Sequence, residues 1–477
     1  MRLNAKQIAT YTAATVQVDS IEPSKLATGI TWDSRTVKPG DVYLALPGER
    51  VDGHDFVDQA LCAGAIVALV MRPMSEQICM RAKEMGAAIL EVSSTTVALT
   101  DLARAWRSHL KGHVIALTGS TGKTTTKNLV RDVLSTTYEV VATHGNQNNE
   151  LGVPKTLLEA NPETDYVVVE MGMRGLGQLE SLCEFVKPDY ALVTNTGESH
   201  IELLGSKEAI IQAKSEVVCA LKPGVGVAVL NQAMPESTSL IETIAHVEER
   251  NISVVGFDGS GTCQSKADVF AKDIAIDSEG KPSFTLCTPK GEQSCSLALR
   301  GEHNVSNACA AAAIGHICAV PLSKIVEGLA SSLPEVGRQE VSKTASGVMV
   351  IDDTYNANPD SMRASLTTFA LMDIQGRRIA VLGDMGELGD YAQACHEGIG
   401  ELVSQLPIDY LLCIGDLAYH IASAAKENGF PGDKIMTTTS KGEALGILEP
   451  LVKQGDAVLV KASHSMALDR IVRGLLS

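Results

Sequence analysis

A glycine loop between an apolar strand and a helix constrains the fold of this chain most. Residues 114–117 (VIAL) predict a buried strand, residues 119–125 have the sequence GSTGKTT, and residues 128–134 predict a helix. Glycines let backbone N–H groups approach phosphate oxygens, and the positive end of the helix favours the anion. Lys123 can reach the outer phosphates, and the Thr124 hydroxyl can ligate Mg²⁺. The stretch predicts a nucleotide-binding α/β domain, although a glycine turn that merely joins strand to helix has the same outline.

Composition excludes several classes of protein. The chain has 477 residues, which is enough for two to four domains, and a net charge of −17, which argues against a nucleic-acid binder. Its eleven cysteines include no C-x-x-C pair, so neither a zinc site nor a disulfide framework is predicted. The longest apolar run, residues 63–71, is far shorter than the roughly 20 residues of a spanning helix, and no signal peptide is evident at the N-terminus. We expect a cytoplasmic protein without membrane insertion, acting as a monomer.

The pattern of strands and helices divides the chain into three blocks. Residues 1–94 predict a small α/β domain with strands at 41–46 and 66–70. Residues 95–333 alternate apolar, β-branched strands with helices, which is typical of a parallel sheet, and then predict an antiparallel meander at 268–299. Residues 334–477 again place buried strands before polar loops, as in a Rossmann-like domain without a phosphate loop. The predicted fold class is therefore three-domain α/β.

Polar loops beyond the glycine loop supply further candidate site residues. Residues 33–41 and 47–54 are two polar glycine loops, for which ordinary turns are an equally good interpretation. Residues 143–154 form a dense amide loop, which suits a polar sugar or peptide, with a solvated loop as the alternative. Residues 352–362 place two acids and two amides between a strand and a helix, which makes them a site candidate.

Three single residues are candidate metal ligands. Glu170 ends a predicted strand, where a carboxylate is well placed to bind Mg²⁺ in a phosphate-loop fold. His200 follows the next strand and is a possible further ligand, although a lone histidine is more often structural. Lys214 lies in the middle of a predicted helix, and its plain interpretation is a solvated surface lysine.

Together these motifs resemble the Mur ligases, which form amide bonds at the expense of ATP during peptidoglycan synthesis. The resemblance covers nearly the whole chain, and the short GxxGKT form is the one that the family uses. The phosphate loop is shared with all Mur ligases and with folylpolyglutamate ligases. The loops at 146–150, 355–359 and 383–389 point to the member that joins D-Ala-D-Ala to UDP-N-acetylmuramoyl-tripeptide. The Asp-Asn-Pro-Arg string expected of the ligase that adds the third residue is absent from this chain.

The resemblance implies roles for individual residues. ATP would be bound by Gly119, Ser120, Thr121, Gly122, Lys123, Thr124, Thr125, Asn304, Arg338 and Asp352. The peptide and UDP substrates would be bound by Ser34, Arg35, Thr36, Arg50, Asp52, His54, Asn146, Asn149, Asn356 and Asn358. Mg²⁺ would be held by Thr124, Glu170, His200 and a carbamylated Lys214. Lys123, Lys214 and His200 would be the catalytic residues.

One departure and two alternatives remain. The family's expected Lys-Gly-Ser-Arg near the C-terminus is replaced here by residues 461–464 (KASH), so a fixed guanidinium donor is missing at His464. Another Mur ligase that adds a single amino acid would share most of the motifs. A regulatory GTPase would share the phosphate loop, but its Asn-Lys-x-Asp signature requires an Asn-Lys pair, and the chain contains none.

Overall fold

Three β-sheets follow one another along the chain. The structure, a computed structural model, describes residues 1–48, 51–197, 201–262 and 267–477. Two predicted site residues, Arg50 and His200, lie outside the described residues. Among the described residues, no helix has the length and apolar character needed to cross a membrane.

The first sheet has five strands in the order β1-β5-β4-β3-β2, all parallel except for the antiparallel pair β1–β5. Its strands are β1 (Thr15–Asp19), β2 (Gly29–Thr31), β3 (Asp41–Leu44), β4 (Val67–Val70) and β5 (Ala88–Glu91). The accompanying helices are α1 (Ala5–Tyr11), α2 (Val57–Cys62) and α3 (Glu76–Glu84). The two strands predicted for this block, at 41–46 and 66–70, are confirmed as β3 and β4, because both are short apolar runs buried on both faces.

The second sheet has nine strands in the order β14-β13-β12-β11-β10-β9-β6-β8-β7. They are β6 (His113–Thr118), β7 (Val140–Ala142), β8 (Tyr166–Glu170), β9 (Tyr190–Val193), β10 (Val227–Asn231), β11 (Ser253–Asp258), β12 (Val269–Ile276), β13 (Pro282–Thr288) and β14 (Gly291–Ser296). The pairs from β7 to β12 are parallel, and β12, β13 and β14 form the predicted antiparallel meander. Strand β6 lies between β9 and β8, so its glycine loop opens between the loops that follow those strands.

Nine helices accompany the second sheet within the described residues. They are α4 (Thr95–Arg107), α5 (Lys123–Ser135), α6 (Gly152–Glu159), α7 (Gln178–Val186), α8 (Ile201–Leu204), α9 (Lys207–Cys219), α10 (Pro235–Ile244), α11 (His303–Ile317) and α12 (Leu322–Ser331). The alanine-rich α11 is buried along almost its whole length and packs on α5. Small alanine side chains allow this close approach, so α11 backs the helix that carries the glycine loop.

The third sheet has six strands in the order β15-β16-β20-β17-β18-β19, parallel except for the pair β15–β16. Its strands are β15 (Glu340–Lys343), β16 (Met349–Asp353), β17 (Arg378–Gly383), β18 (Tyr410–Ile414), β19 (Ile435–Thr438) and β20 (Ala457–Lys461). Its helices are α13 (Pro359–Leu371), α14 (Ala392–Gln405), α15 (Ala418–Glu427), α16 (Lys441–Leu451) and α17 (Asp469–Leu476). Apolar clusters cover both faces of this sheet, as its continuous Val, Leu and Ile runs predict. The predicted α/β fold class is confirmed.

Candidate functional site

The carboxyl ends of the second and third sheets share one cleft of about 1790 Å³. The short segment 332–339, here called the linker, joins the two sheets and forms part of the cleft wall. Thirteen of the predicted site residues line the cleft: Ser120, Thr121, Gly122, Lys123, Thr124, Thr125, Asn146, Asn149, Glu170, Asn304, Arg338, Asn356 and Asn358. The structure therefore brings together residues that are more than 200 positions apart in the sequence.

Neighbouring side chains contact the glycine loop closely and fix its backbone. Asn195, which follows β9, accepts hydrogen bonds through Oδ1 from the N–H groups of Ser120 (3.1 Å) and Thr121 (2.9 Å). Gly122 has a φ of 74°, and a Cβ there would lie 2.5 Å from Asn307 Oδ1. A Cβ on Gly119 would lie 1.8 Å from Thr194 Oγ1. Both glycines are thus required by close packing as well as by the backbone turn.

Lys123 is folded back onto its own loop. Its Nζ donates to Gly119 O at 2.8 Å, and burial lowers the pKa of this amine while the Glu170 carboxylate opposes the change. The side chain therefore lies directly beside the space that an anion on the loop would occupy. Lys123 is the first residue of α5, so the positive end of the helix dipole adds to its charge.

Glu170 and Thr124 form a group of oxygen atoms that fits a divalent cation. The Thr124 hydroxyl donates to Glu170 Oε1 at 3.2 Å, and Asn148 Nδ2 donates to the same oxygen at 2.8 Å. Glu170 is 1% exposed, and its Oε2 has no hydrogen-bond partner among the described residues. A buried carboxylate oxygen without a partner is costly unless a cation is bound. The donor set therefore fits Mg²⁺, which prefers carboxylate and hydroxyl oxygens.

Lys214 is buried in α9, so its interpretation as a solvated surface lysine is wrong. The side chain is 1% exposed, and its amine makes no hydrogen bond or ion pair with any residue in the described parts of the chain. Burial lowers its pKa well below the usual range, and the nearby Lys123 charge acts in the same direction. Such an environment favours a neutral amine, which is the reactive form towards CO₂.

Arg338 reaches from the linker to the glycine-loop helix. Its Nη2 donates to Thr124 Oγ1 at 3.0 Å, and its guanidinium lies 4.1 Å from the centre of the Tyr355 ring. Asn304, at the start of α11, donates through Nδ2 to Arg300 O (2.6 Å) and accepts through Oδ1 from Asn307 (2.8 Å).

The third sheet contributes the opposite wall of the cleft. Asn358 caps α13, with its side chain accepting from Ser361 N at 2.8 Å, and Asn356 O accepts from Lys461 Nζ at 2.9 Å. Lys461 also forms an ion pair with Asp353 at 2.9 Å and is 2% exposed. Both Lys461 and Asp353 line the cleft; Asp353 belongs to the candidate segment 352–362, and neither residue had an individual predicted role.

Two residues near this wall, Asp352 and His464, differ from what the sequence motifs lead us to expect. Asp352 does not line the cleft, and its carboxylate instead accepts from the hydroxyl of Thr354 at 2.6 Å. Neighbouring residues of a strand point to opposite faces, so only Asp353 of the acid pair reaches the cleft. His464, which replaces the expected arginine, lines the cleft with its ring 5.9 Å from that of Tyr355.

The predicted substrate residues of the first block lie away from the cleft. Ser34, Arg35, Thr36, Asp52 and His54 are absent from its lining. Their side chains make local contacts: Ser34 with Gln59, Thr36 with Thr31, and Arg35 with Asp33, whose pKa it lowers to about 2.

His54 has a structural role in this loop. Its Nδ1 lies 2.6 Å from Asp52 Oδ1, and its Nε2 accepts from Met71 N at 2.8 Å. Both ring nitrogens of this buried histidine are therefore occupied, and the loop is held against the end of β4. The first block instead contributes Trp32 to the cleft, with Lys155 Nζ 5.2 Å from its ring centre.

Several cleft residues had no individual role predicted from the sequence. Asn148 and Asp353 lie within the candidate loops at 143–154 and 352–362, whereas Trp32, Asn195, Asn307 and Lys461 lie outside them. Asn148 lies inside the amide loop and Asn195 directly follows a predicted strand, so position in a loop after a strand could have identified both. Asn307 carried no such signal, because it lies in the alanine-rich helix and reaches the site only through packing on α5.

Comparison with known proteins agrees with this geometry. Residues 27–107 match the Mur ligase family catalytic domain, residues 117–315 match the Mur ligase middle domain, and residues 337–464 match the Mur ligase glutamate ligase domain. The chain is 36% identical over 451 residues to the UDP-N-acetylmuramoyl-tripeptide–D-alanyl-D-alanine ligase of Bacillus subtilis, with 94% of this chain and 93% of the relative covered. The ligase of the same name from Escherichia coli is 35% identical over 446 residues, with the same coverage.

Solved structures show the same architecture over the whole chain. A crystal structure of MurF from Acinetobacter baumannii has a TM-score of 0.83 at 34% identity, covering 100% of this chain and 99% of that one. The MurF ligase of Thermotoga maritima, solved in complex with ADP, has a TM-score of 0.76 at 28% identity, covering 94% and 97%. The chain belongs to the Mur ligase family.

Proposed function

We propose that this protein is the ligase that joins D-Ala-D-Ala to UDP-N-acetylmuramoyl-tripeptide in peptidoglycan precursor synthesis, with ATP as the energy source. The observation that carries the proposal is the shared cleft, where the glycine loop, the Glu170 carboxylate and the amide loop at 356–358 face one space. One oxygen of that carboxylate has no hydrogen-bond partner in the part of the chain that the structure describes. Relatives with this named activity cover 94% of the chain at 35–36% identity, so the activity fits the whole molecule.

ATP would lie on the glycine loop, with Asn304 and Arg338 at its sides. Thr124 and Glu170 would hold a Mg²⁺ ion, which when bound neutralises charge on the phosphates. Lys214 would hold a second cation after its amine has reacted with CO₂, with His200 as a further ligand. Burial of a Lys214 amine that has no partner among the described residues supports this assignment, because carbamylation converts the neutral amine into an anion that can bind a cation.

The reaction would begin with attack of the tripeptide carboxylate on the γ-phosphate of ATP. Lys123, beside the glycine loop, would neutralise the charge that develops on the transferred phosphoryl group. The resulting acyl phosphate would be attacked by the amine of D-Ala-D-Ala, which forms the amide and releases phosphate. The walls at 355–358 and 461–464 would orient the dipeptide and exclude water, which otherwise hydrolyses the intermediate.

The three blocks would divide the work. Residues 1–94 would hold the UDP end of the substrate through Ser34, Arg35, Thr36, Arg50 and the loop of Asp52 and His54. Residues 95–333 would bind ATP, with Asn146 and Asn149 towards the peptide. Residues 334–477 would add Asp352, Asn356 and Asn358 to nucleotide and dipeptide binding. We further propose that the enzyme acts as a cytoplasmic monomer.

The test is phosphate release from ATP with each substrate omitted in turn. A ligase for D-Ala-D-Ala releases phosphate only when UDP-N-acetylmuramoyl-tripeptide and the dipeptide are both present. Replacing the dipeptide by single amino acids separates this function from that of the other Mur ligases. Rapid hydrolysis of ATP or GTP alone would instead favour a regulatory nucleotidase and overturn the proposal.

A further inference from the structure

Two parallel contacts join helix α5 to the linker. Arg338 Nη2 donates to Thr124 Oγ1 at 3.0 Å, and Lys127 Nζ lies 3.6 Å from Glu335 Oε1. The residues are three apart on each side of the contact, so Thr124 and Lys127 occupy one face of the helix. The linker is therefore fixed to the first two turns of the glycine-loop helix at two points, a hydrogen bond and an ion pair.

Lys127 is placed to hold more than the linker. It is 1% exposed, and its Nζ donates to Thr143 O at 2.7 Å and to Gly145 O at 3.1 Å, at the start of the amide loop. Among the described residues, Glu335 is the one carboxylate within ion-pair distance of it. A buried ammonium requires such a partner, because carbonyl groups satisfy its hydrogen bonds without neutralising its charge.

Glu335 lies between the two cations. One of its oxygens faces Lys127, and the other lies 3.9 Å from Arg338 Nε, a buried atom without a hydrogen bond among the described residues. The position of the guanidinium thus depends on three neighbours: the Thr124 hydroxyl, the Tyr355 ring and the Glu335 carboxylate. Glu335 lies in the linker, and Tyr355 follows β16 in the third sheet. Glu335 also forms the ion pair with Lys127 of α5.

We propose that Lys127 and Glu335 are positioning residues, whose ion pair fixes the linker on α5 so that Arg338 points into the nucleotide side of the cleft. This inference rests on the proposed function, in which Arg338 contacts ATP. The ion pair acts through Arg338 and makes no contact with the nucleotide itself. It couples the placement of the third sheet to the same helix that carries the glycine loop.

Glu335→Gln tests this role, because it keeps the shape of the side chain and leaves the carbonyl contacts of Lys127 in place. We expect the dissociation constant for ADP, measured by calorimetry, to rise about fivefold, the scale of a partly buried ion pair. The KM for ATP should rise by a similar factor, with little change in kcat. Glu327→Gln is the matched control, since it removes a carboxylate from an exposed ion pair with Lys324 on α12 and should change neither value.

A double-mutant cycle separates positioning from a general loss of structure. If Glu335 acts through Arg338, then Glu335→Gln should weaken ADP binding no further in an Arg338→Ala background. Additive losses in the double variant would overturn the proposal, as would unchanged ADP binding in Glu335→Gln alone.

Hydrogen–deuterium exchange gives a readout that does not depend on nucleotide or activity. In the nucleotide-free protein, exchange at residues 334–339 should be faster in Glu335→Gln and unchanged in Glu327→Gln. Equal exchange in the wild type and Glu335→Gln would also refute a positioning role. Failure of the wild-type protein to release phosphate with both substrates would refute the proposed function instead, and would leave this exchange result intact.

Discussion

Replacing Lys214 by methionine should stabilise the protein while reducing its activity. The Lys214 side chain is 1% exposed, and its amine has no partner within the described residues. Burial and the Lys123 charge lower its pKa well below the usual range of a lysine. Methionine has nearly the same volume and shape and carries no amine, so the packing of α9 should survive the change.

The size of the effect depends on pH in a defined direction. A lysine that is neutral in the folded protein but protonated in the unfolded chain costs about 1.4 kcal/mol for each pH unit below 10.5. The cost is therefore at most about 5 kcal/mol at pH 7 and at most about 2 kcal/mol at pH 9. Because the unfolded chain binds more protons, the stability of the wild type rises with pH across this window. The advantage of Lys214→Met should therefore shrink by up to about 3 kcal/mol between pH 7 and pH 9.

Chemical denaturation of both proteins in CO₂-free buffer at pH 7 and pH 9 measures this difference. Lys324→Met, which changes an exposed lysine on α12, is the control and should show no pH-dependent gain. Added bicarbonate should stabilise the wild type and leave Lys214→Met unchanged, since carbamylation is specific to the folded protein. A variant that is less stable than the wild type at pH 7, or equally active, would refute the reasoning.

Three further changes test other parts of the site. Glu170→Gln should reduce kcat by about 10²- to 10³-fold in a phosphate-release assay, because it removes the carboxylate proposed to hold Mg²⁺, and undiminished activity would exclude that role. His54→Leu should lower the free energy of unfolding by about 2 kcal/mol with no change in the KM for ATP, because it leaves the Met71 N–H unpaired; a changed KM with unchanged stability would point to ligand contact instead. Asn358→Ala should cost about 1 kcal/mol through loss of the α13 cap, whereas Asn358→Asp keeps the cap, so lost activity in the aspartate variant would indicate a substrate contact.

The buried strands of the second and third sheets were predictable because each is an apolar, β-branched run that few other structures accommodate. β9 and β18 are such runs, buried except at their first residue. β7 and β15 were not identified, because β7 is a run of three residues and β15 mixes polar with apolar residues; both are half-exposed. Each lies at an edge of its sheet and pairs with one strand, so burial gives it a weaker sequence pattern than a central strand.

The local geometry of the candidate site could be predicted where one segment supplies the whole arrangement. The glycine loop is such a segment, since its turn and the start of α5 follow from adjacent residues. The acid pair at 352–353 shows the limit, because the pleat of β16 decides which of the two reaches the cleft, and it is Asp353. Lys214 is a second example of this limit. The sequence alone is compatible with an exposed residue, and the packing of α9 in the folded protein buries it.

The sequence by itself determined the α/β class, the phosphate loop and the family, because these depend on short-range patterns and on residue identities. Only the tertiary structure decided which residues act together. It placed Thr124 beside Glu170, brought Arg338 across from the linker, and turned His54 towards Asp52 and Met71. The physical reason is that burial, ion pairing and hydrogen bonding in this cleft join segments up to 214 residues apart, and such contacts form only when the sheets and helices have packed.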